Sequence, residues 1–233
     1  MILYVAMAKS EQDYLSRAAE SLFQHKLRFE ELSGWPCLMM RYCRVGPAVM
    51  DEYPIRAVVI SGFGHGWNEM DMSELYGLYD LLHAVEVPVL GICGGHQLLA
   101  HIFTEDFHLI QVLRDEPMRQ LQPGEPDWAP DYHPGYFVES GIQPVTVIHP
   151  DPLFAELAEV IYVRQNHFGE VRTLPPQFRL LASNDSCRLQ AMGHRRRPLY
   201  GVQFHPELYT DYYPDGRQIL RNFFAIAGAE VRD

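Results

Sequence analysis

The sequence predicts an α/β fold of three layers, with helices on both faces of a mainly parallel central sheet. Three observations predict it. Short, wholly apolar runs such as "AVVI" (Ala57–Ile60) and the stretch Val87–Ile92 lack the alternation of a half-exposed strand, so both their faces are buried. Segments with apolar residues at helical spacing lie between such runs, the order of strand–helix–strand units. The runs end in glycine-rich turns, at Ser61-Gly62 and after Ile92.

The elements follow in order. Ile2–Ala6 reads as a first strand, and Glu11–Leu27 as one amphipathic helix, with Tyr14, Leu15, Ala18, Leu22 and Phe23 on its apolar face. Cys37–Tyr42 and Ala57–Ile60 are strands, Glu74–Val85 a helix, Val87–Ile92 a buried strand and Gly95–Phe103 a helix directly behind it. Residues 104–141 show no period and are rich in proline and aromatics (Trp128, Tyr132, His133, Tyr136, Phe137). Sheet character resumes at Val145–Ile148, so this stretch is a long ordered connection within one domain spanning residues 1–233. Short strands recur at Ile161–Val163, Arg179–Ala182, Leu189–Met192 and Leu199–Phe204, and Arg217–Ala227 closes the chain as a helix.

Composition excludes several classes of function. The 233 residues suffice for one sizeable core. A net charge of −11 argues against a nucleic-acid surface, which needs a basic face. No run is long enough to span a membrane, and the N-terminus lacks the basic flank of a signal peptide. Four widely spaced cysteines, with no CxxC pair, fit free thiols in a reducing, cytoplasmic setting. With no HExxH or zinc-like spacing, neither a metal nor a cofactor is expected.

The segment "GICGGHQLLA" (residues 91–100) places a thiol where a strand turns sharply into a helix. Such a turn lifts its residue above the carboxyl ends of the strands, where open α/β folds bind ligands. Gly91, Gly94 and Gly95 allow the close approach a nucleophile elbow needs. At a helix N-terminus Cys93 meets the helix dipole and free amides, and Gly94 N–H is available to a developing oxyanion. Alone, the elbow fits a buried structural cysteine equally well. "YGVQFHPEL" (residues 200–208) tips the balance: in extended chain His205 and Glu207 point the same way, so the carboxylate can orient and charge the ring.

These two segments resemble the signature blocks of the class I glutamine amidotransferases, the family with a Cys-His-Glu triad. "VRQNHFGEVRTLP" (residues 163–175) and "DGRQILRNFF" (residues 215–224) resemble two further blocks in the right order. The resemblance implies a flavodoxin-like fold and hydrolysis of L-glutamine through a cysteinyl thioester, with Cys93 as nucleophile, His205 as base and Glu207 as its partner. It further implies that Gln97, Asn166, His167 and Phe168 hold substrate glutamine. The ammonia released is expected to pass to a separate synthase chain, since no synthase domain fits in 233 residues.

The sequence departs from the family pattern in two places. After the strand ending at Ile60, relatives carry S-G-G-P or S-N-G-P, whereas this chain has "SGFGHGW" (residues 61–67). The second oxyanion donor therefore falls to Phe63, or to Gly64 with a shift of one residue. His65, Trp67 and Asn68 stand next in line as pocket residues. The stretch 104–141 is longer than its family counterpart and is expected to cover the active site or dock a partner. Two other readings of the whole remain open, a hydrolase of γ-glutamyl peptides or amides using the same triad, and a regulatory protein of this family without activity.

Overall fold

Leu3, Val5, Val58, Ile60, Val89 and Leu199 point into one core, while Ile2, Tyr4, Val59, Leu90, Ile92 and Val202 point into another. This two-residue alternation between opposite faces is that of extended chain, and it explains why the strand sequences are apolar throughout. Each fully buried Val, Leu or Ile contributes roughly 1.5–3 kcal/mol of transfer free energy.

The computed structural model describes all of the chain except Arg17, Glu105, Tyr132 and residues 231–233. Its strands are β1 (Ile2–Ala6), β2 (Cys37–Arg41), β3 (Ala57–Ile60), β4 (Val89–Ile92), β5 (Glu139–Val147), β6 (Val160–His167), β7 (Phe178–Ser183), β8 (Ala191–His194) and β9 (Leu199–Val202). Its helices are α1 (Glu11–Tyr14), α2 (Ala18–Ser33), α3 (Ala48–Glu52), α4 (Met72–Ala84), α5 (Gly94–Thr104) and α6 (Asp215–Ile226). Residues of α4 and α5 line the first core and those of α2 and α6 the second, which gives the three layers.

Among the described residues the strands form one sheet in the order β2-β1-β3-β4-β9-β8-β7-β5-β6. From β2 to β9 every pairing is parallel, as the apolar runs require. From β9 outward every pairing is antiparallel. The connections 184–190 and 195–198 are too short for the crossover that a parallel neighbour needs, so β7, β8 and β9 can only meander.

The helix expected over Glu11–Leu27 is two helices. The Ser10 hydroxyl caps α1 by accepting from Asp13 N, and Ser16 turns both its N–H and its hydroxyl onto Asp13 O, closing the first helix. The second helix runs on to Ser33 and ends at Gly34, whose φ of 70° suits a left-handed cap. Strand β6 is longer than the expected Ile161–Val163, and β8 lies two residues later than Leu189–Met192. The five-residue α3 is too short to carry a readable period.

Residues 104–141 are sewn to the body at their start. Phe107, Leu113 and Met118 are buried, and Pro117 forms a β-bridge with Gly169. Beyond Met118 the chain leaves as a loop pinched at its base, where Leu121 N donates to Gly135 O and Phe137 N to Arg119 O. Tyr132, one of its aromatics, lies outside the described residues. No helix among the described residues is long and apolar enough to cross a membrane.

Candidate active site

Strand β4 pairs with β9 in parallel register, Ile92 opposite Val202, and Cys93 N donates to Val202 O at 2.8 Å. The residues just beyond both strands therefore emerge side by side at the carboxyl edge of the sheet. Cys93 carries the turn into α5 by itself, with φ at 51°, a left-handed conformation that a residue with a Cβ adopts at a cost of about 1–3 kcal/mol. The glycines around it are needed for contact. A Cβ on Gly91 would stand 2.5 Å from Gly95 O, and one on Gly95 would stand 2.6 Å from Ile60 O. Helix α5 thus packs backbone to backbone on β3 and β4.

His205 is pinned across the cleft by its N–H, which donates to Arg164 O at 2.8 Å. Pro206–Leu208 forms a 3-10 turn, so the segment is not extended as its sequence suggests; the proline fits the first position of that turn. Within it His205 Nδ1 lies 2.7 Å from Glu207 Oε1, with Glu207 buried. Arg28 of α2 clamps the turn, donating to Glu207 O and to Tyr209 O, with its guanidinium over the Tyr209 ring.

The geometry brings sulfur and imidazole together. A Cβ placed on Gly62 would be 3.0 Å from Cys93 Cβ and 3.1 Å from His205 Cε1. His205 Nε2 is buried, and the Cys93 sulfur is among the groups that act on the ring. Burial alone would lower the His205 pKa. The Glu207 carboxylate and then Cys93 outweigh it and hold the ring well above the ordinary 6.5. Burial likewise works to raise the Glu207 pKa, but the imidazolium holds it below 4.5.

A cavity of about 420 Å3 opens beside this pair, between Met7–Lys9 after β1, Ser61–His65 after β3, and His25, Asn166 and His205. It lies where the chain leaves β1 for β2 on one side and β3 on the other, the crevice that open α/β sheets use for ligands. The Phe63 ring lies against Gly94: a Cβ there would meet it at 2.3 Å. That ring stacks on His65 at 4.4 Å and meets Trp67 edge-on at 4.7 Å. Gly62, within 3.6 Å of the sulfur by its ideal Cβ, lies against the thiol, whereas the same position on Gly64 looks into open space.

The family profile described as glutamine amidotransferase class-I matches residues 47–227, which include the elbow and the His-Pro-Glu turn. The chain belongs to the class I glutamine amidotransferase family. A glutamine-hydrolysing GMP synthase subunit from Pyrococcus furiosus is 37% identical over 143 residues, 61% of each chain. The corresponding protein of Pyrococcus abyssi is 35% identical over 172 residues, 73% of this chain and 75% of that one. The chain thus covers about three fifths of the length of the Pyrococcus furiosus protein. In fold it is similar to a protein provisionally assigned as a GMP synthase subunit from Thermoplasma acidophilum, with a TM-score of 0.71, 24% identity, and coverage of 98% of this chain and 94% of that one.

In this chain the residues expected to hold substrate are dispersed. Asn166 lines the large cavity. His167, on the opposite face of β6, is buried, with Nε2 2.9 Å from Glu139 Oε2 and Nδ1 2.9 Å from Gly169 O. Both its nitrogens are engaged inside the protein, so its side chain is not presented to a ligand. Phe168 packs on His133 at 5.0 Å. Gln97 commits both amide hydrogens, to Gly169 O and Gln203 Oε1, and accepts from Trp67 Nε1, so only one lone pair of Oε1 remains for another partner. Gly62, His25 and Arg28 are the residues at the site that the sequence does not single out. His25 and Arg28 lie on a helix whose residues show only an amphipathic period.

Proposed function

We propose that this chain is a glutaminase that hydrolyses the side-chain amide of L-glutamine and delivers ammonia to a separate acceptor-activating chain. The observation that carries this reading is the convergence of Cys93, His205 and Glu207, with His205 and Glu207 lining a cavity and the thiol against Gly62 of the same lining. The Cys93 sulfur, its proton taken by His205, attacks the amide carbon of glutamine. The carbon–nitrogen bond breaks as His205 returns that proton to the leaving nitrogen, and ammonia departs from a γ-glutamyl thioester. Water, deprotonated by the same ring, then attacks the thioester, releasing glutamate and restoring the thiol. Glu207 holds the ring's orientation and balances its charge. Backbone N–H groups of Gly94 and of one residue among Gly62, Phe63 and Gly64 receive the oxyanion.

The relatives named as subunits of glutamine-hydrolysing GMP synthases support a two-chain arrangement in which a synthase takes up the ammonia. The four free cysteines suit a reducing, cytoplasmic setting. Glutamate release from glutamine, measured for wild type, Cys93→Ser and His205→Ala, tests the reading. Turnover is expected to vanish in the first variant and to fall by about 10³–10⁶ in the second. Unchanged turnover in Cys93→Ser, or a strong preference for γ-glutamyl amides with bulky leaving amines, would overturn it.

A further inference from the structure

Beneath the nucleophile, three side chains form a buried string that the steps above do not use. Trp67 Nε1 donates to Gln97 Oε1 at 3.0 Å. Gln97 Nε2 donates to Gly169 O at 3.2 Å and to Gln203 Oε1 at 3.3 Å. Gln203 Nε2 lies 3.6 Å from Cys93 Sγ, within donor range of a sulfur. Trp67 and Gln203 are 1% and 0% exposed, so water does not compete for these groups.

The string can run in one direction only. An indole nitrogen donates and never accepts. Trp67 therefore fixes the oxygen end of the Gln97 amide toward itself and sends the nitrogen end toward Gln203. Gln203 must answer with its oxygen, which leaves its own N–H groups aimed at the sulfur. Flipping either amide would set like atoms against each other in a dry site.

We propose that Gln203 is a further catalytic residue, an N–H donor to the Cys93 sulfur, held in that orientation by Trp67 and Gln97 as positioning residues. The proposal rests on Cys93 being the nucleophile of the preceding reading. A donor at this place stabilises negative charge on sulfur and keeps Sγ beside His205. Amides that merely satisfied one another would matter for stability and not for the reactivity of the thiol.

The test is alkylation of Cys93 by iodoacetamide in the full-length protein, followed by peptide mass spectrometry from about pH 5 to about pH 9. The titratable groups around the sulfur are His205 and Glu207, with His25 of α2 behind them, His65 in the loop and His96 on α5. All stay in place in the variants, and neither glutamine nor tryptophan titrates here. Gln203→Met keeps length and removes the donor. Its alkylation rate at neutral pH is expected to drop about ten-fold, with the midpoint of the profile moved upward. Its kcat should fall by a similar factor while KM stays near the wild-type value. Trp67→Phe removes the contact that holds the Gln97 oxygen, leaves Gly169 O as the anchor of its nitrogen, and should shift the profile the same way by less, which keeps the test usable if Gln203→Met does not fold. A profile superimposable on wild type in either folded variant overturns the proposal. Alkylation needs no glutamine, so this outcome is distinct from failure of the glutaminase reading, which shows as turnover surviving in Cys93→Ser.

Discussion

Gly62 has no side chain because the side chains of Cys93 and His205 occupy the space one would take. Its ideal Cβ falls 3.0 Å from Cys93 Cβ and 3.1 Å from His205 Cε1, a separation at which each neighbour must yield by a few tenths of an ångström. Nothing in its backbone conformation forbids alanine, since its φ is not among the positive ones. Gly62→Ala should therefore fold with a melting temperature within a few degrees of wild type while wedging ring and sulfur apart. Misplacement of reacting groups is costly in rate, and kcat/KM for glutamine is expected to fall about 10- to 100-fold. Steady-state kinetics beside a thermal melt check this; an unaltered kcat/KM would mean that the site has slack here. Positions 93, 205 and 207 can be singled out from sequence because each lies in a short pattern with local chemistry, a glycine-flanked turn or a His-Pro-Glu. Arg28 offers no such pattern, and Gly62 and Gln203, though inside the segments at 61–67 and 200–208, carry no local chemistry that marks them. Their relation to the sulfur is created by β4 pairing with β9 and by α2 packing on the turn after β9, contacts between residues far apart in the chain.

At the scale of elements, the strands buried on both faces are readable and the long connection is readable only as irregular chain. Nothing local in Leu113 or Met118 says that they are core residues, since neither belongs to a periodic run; both are covered when Pro117 bridges to Gly169. The connection therefore divides into an anchored arm and a tip. The arm also reaches the loop after β3, where Asp115 Oδ2 accepts from Trp67 N at 3.2 Å. The tip leaves through a narrow base at Leu121 and Gly135 and carries Trp128, 70% exposed. Replacing residues 122–134 by Asn-Gly should close that base as a two-residue hairpin. The product is expected to melt within a few degrees of wild type, with kcat unchanged. Loss of His133 from beside Phe168 should raise KM for glutamine by less than ten-fold. A collapse of kcat would assign the tip a direct part in the chemistry.

Across the whole molecule, the parallel half of the sheet follows from apolar runs separated by helices, while the antiparallel half follows from connection lengths that depend on where strands end. Strand ends are the weakest feature of a sequence reading, and β6 and β8 show it. The two halves meet at β9, so the pair that β9 delivers, His205 and Glu207, sits at the seam of the sheet with Glu207 buried. That burial ties the stability of the molecule to pH. Glu207 has its folded pKa held below 4.5 by His205 against the opposing effect of burial. Its contribution is complete above pH 4.5 and is lost as pH falls through the folded value. His205 has its folded pKa well above 6.5, where Glu207 and then Cys93 outweigh burial. Its contribution is complete below pH 6.5 and is lost as pH rises through the folded value. The two windows overlap between pH 4.5 and 6.5. The melting temperature of wild type minus that of Glu207→Gln should therefore be greatest in that interval and shrink on both sides of it. Thermal melts of both proteins from about pH 4 to about pH 9 measure it. A difference that stays level across that range would mean that the pair is not ionised in the folded protein.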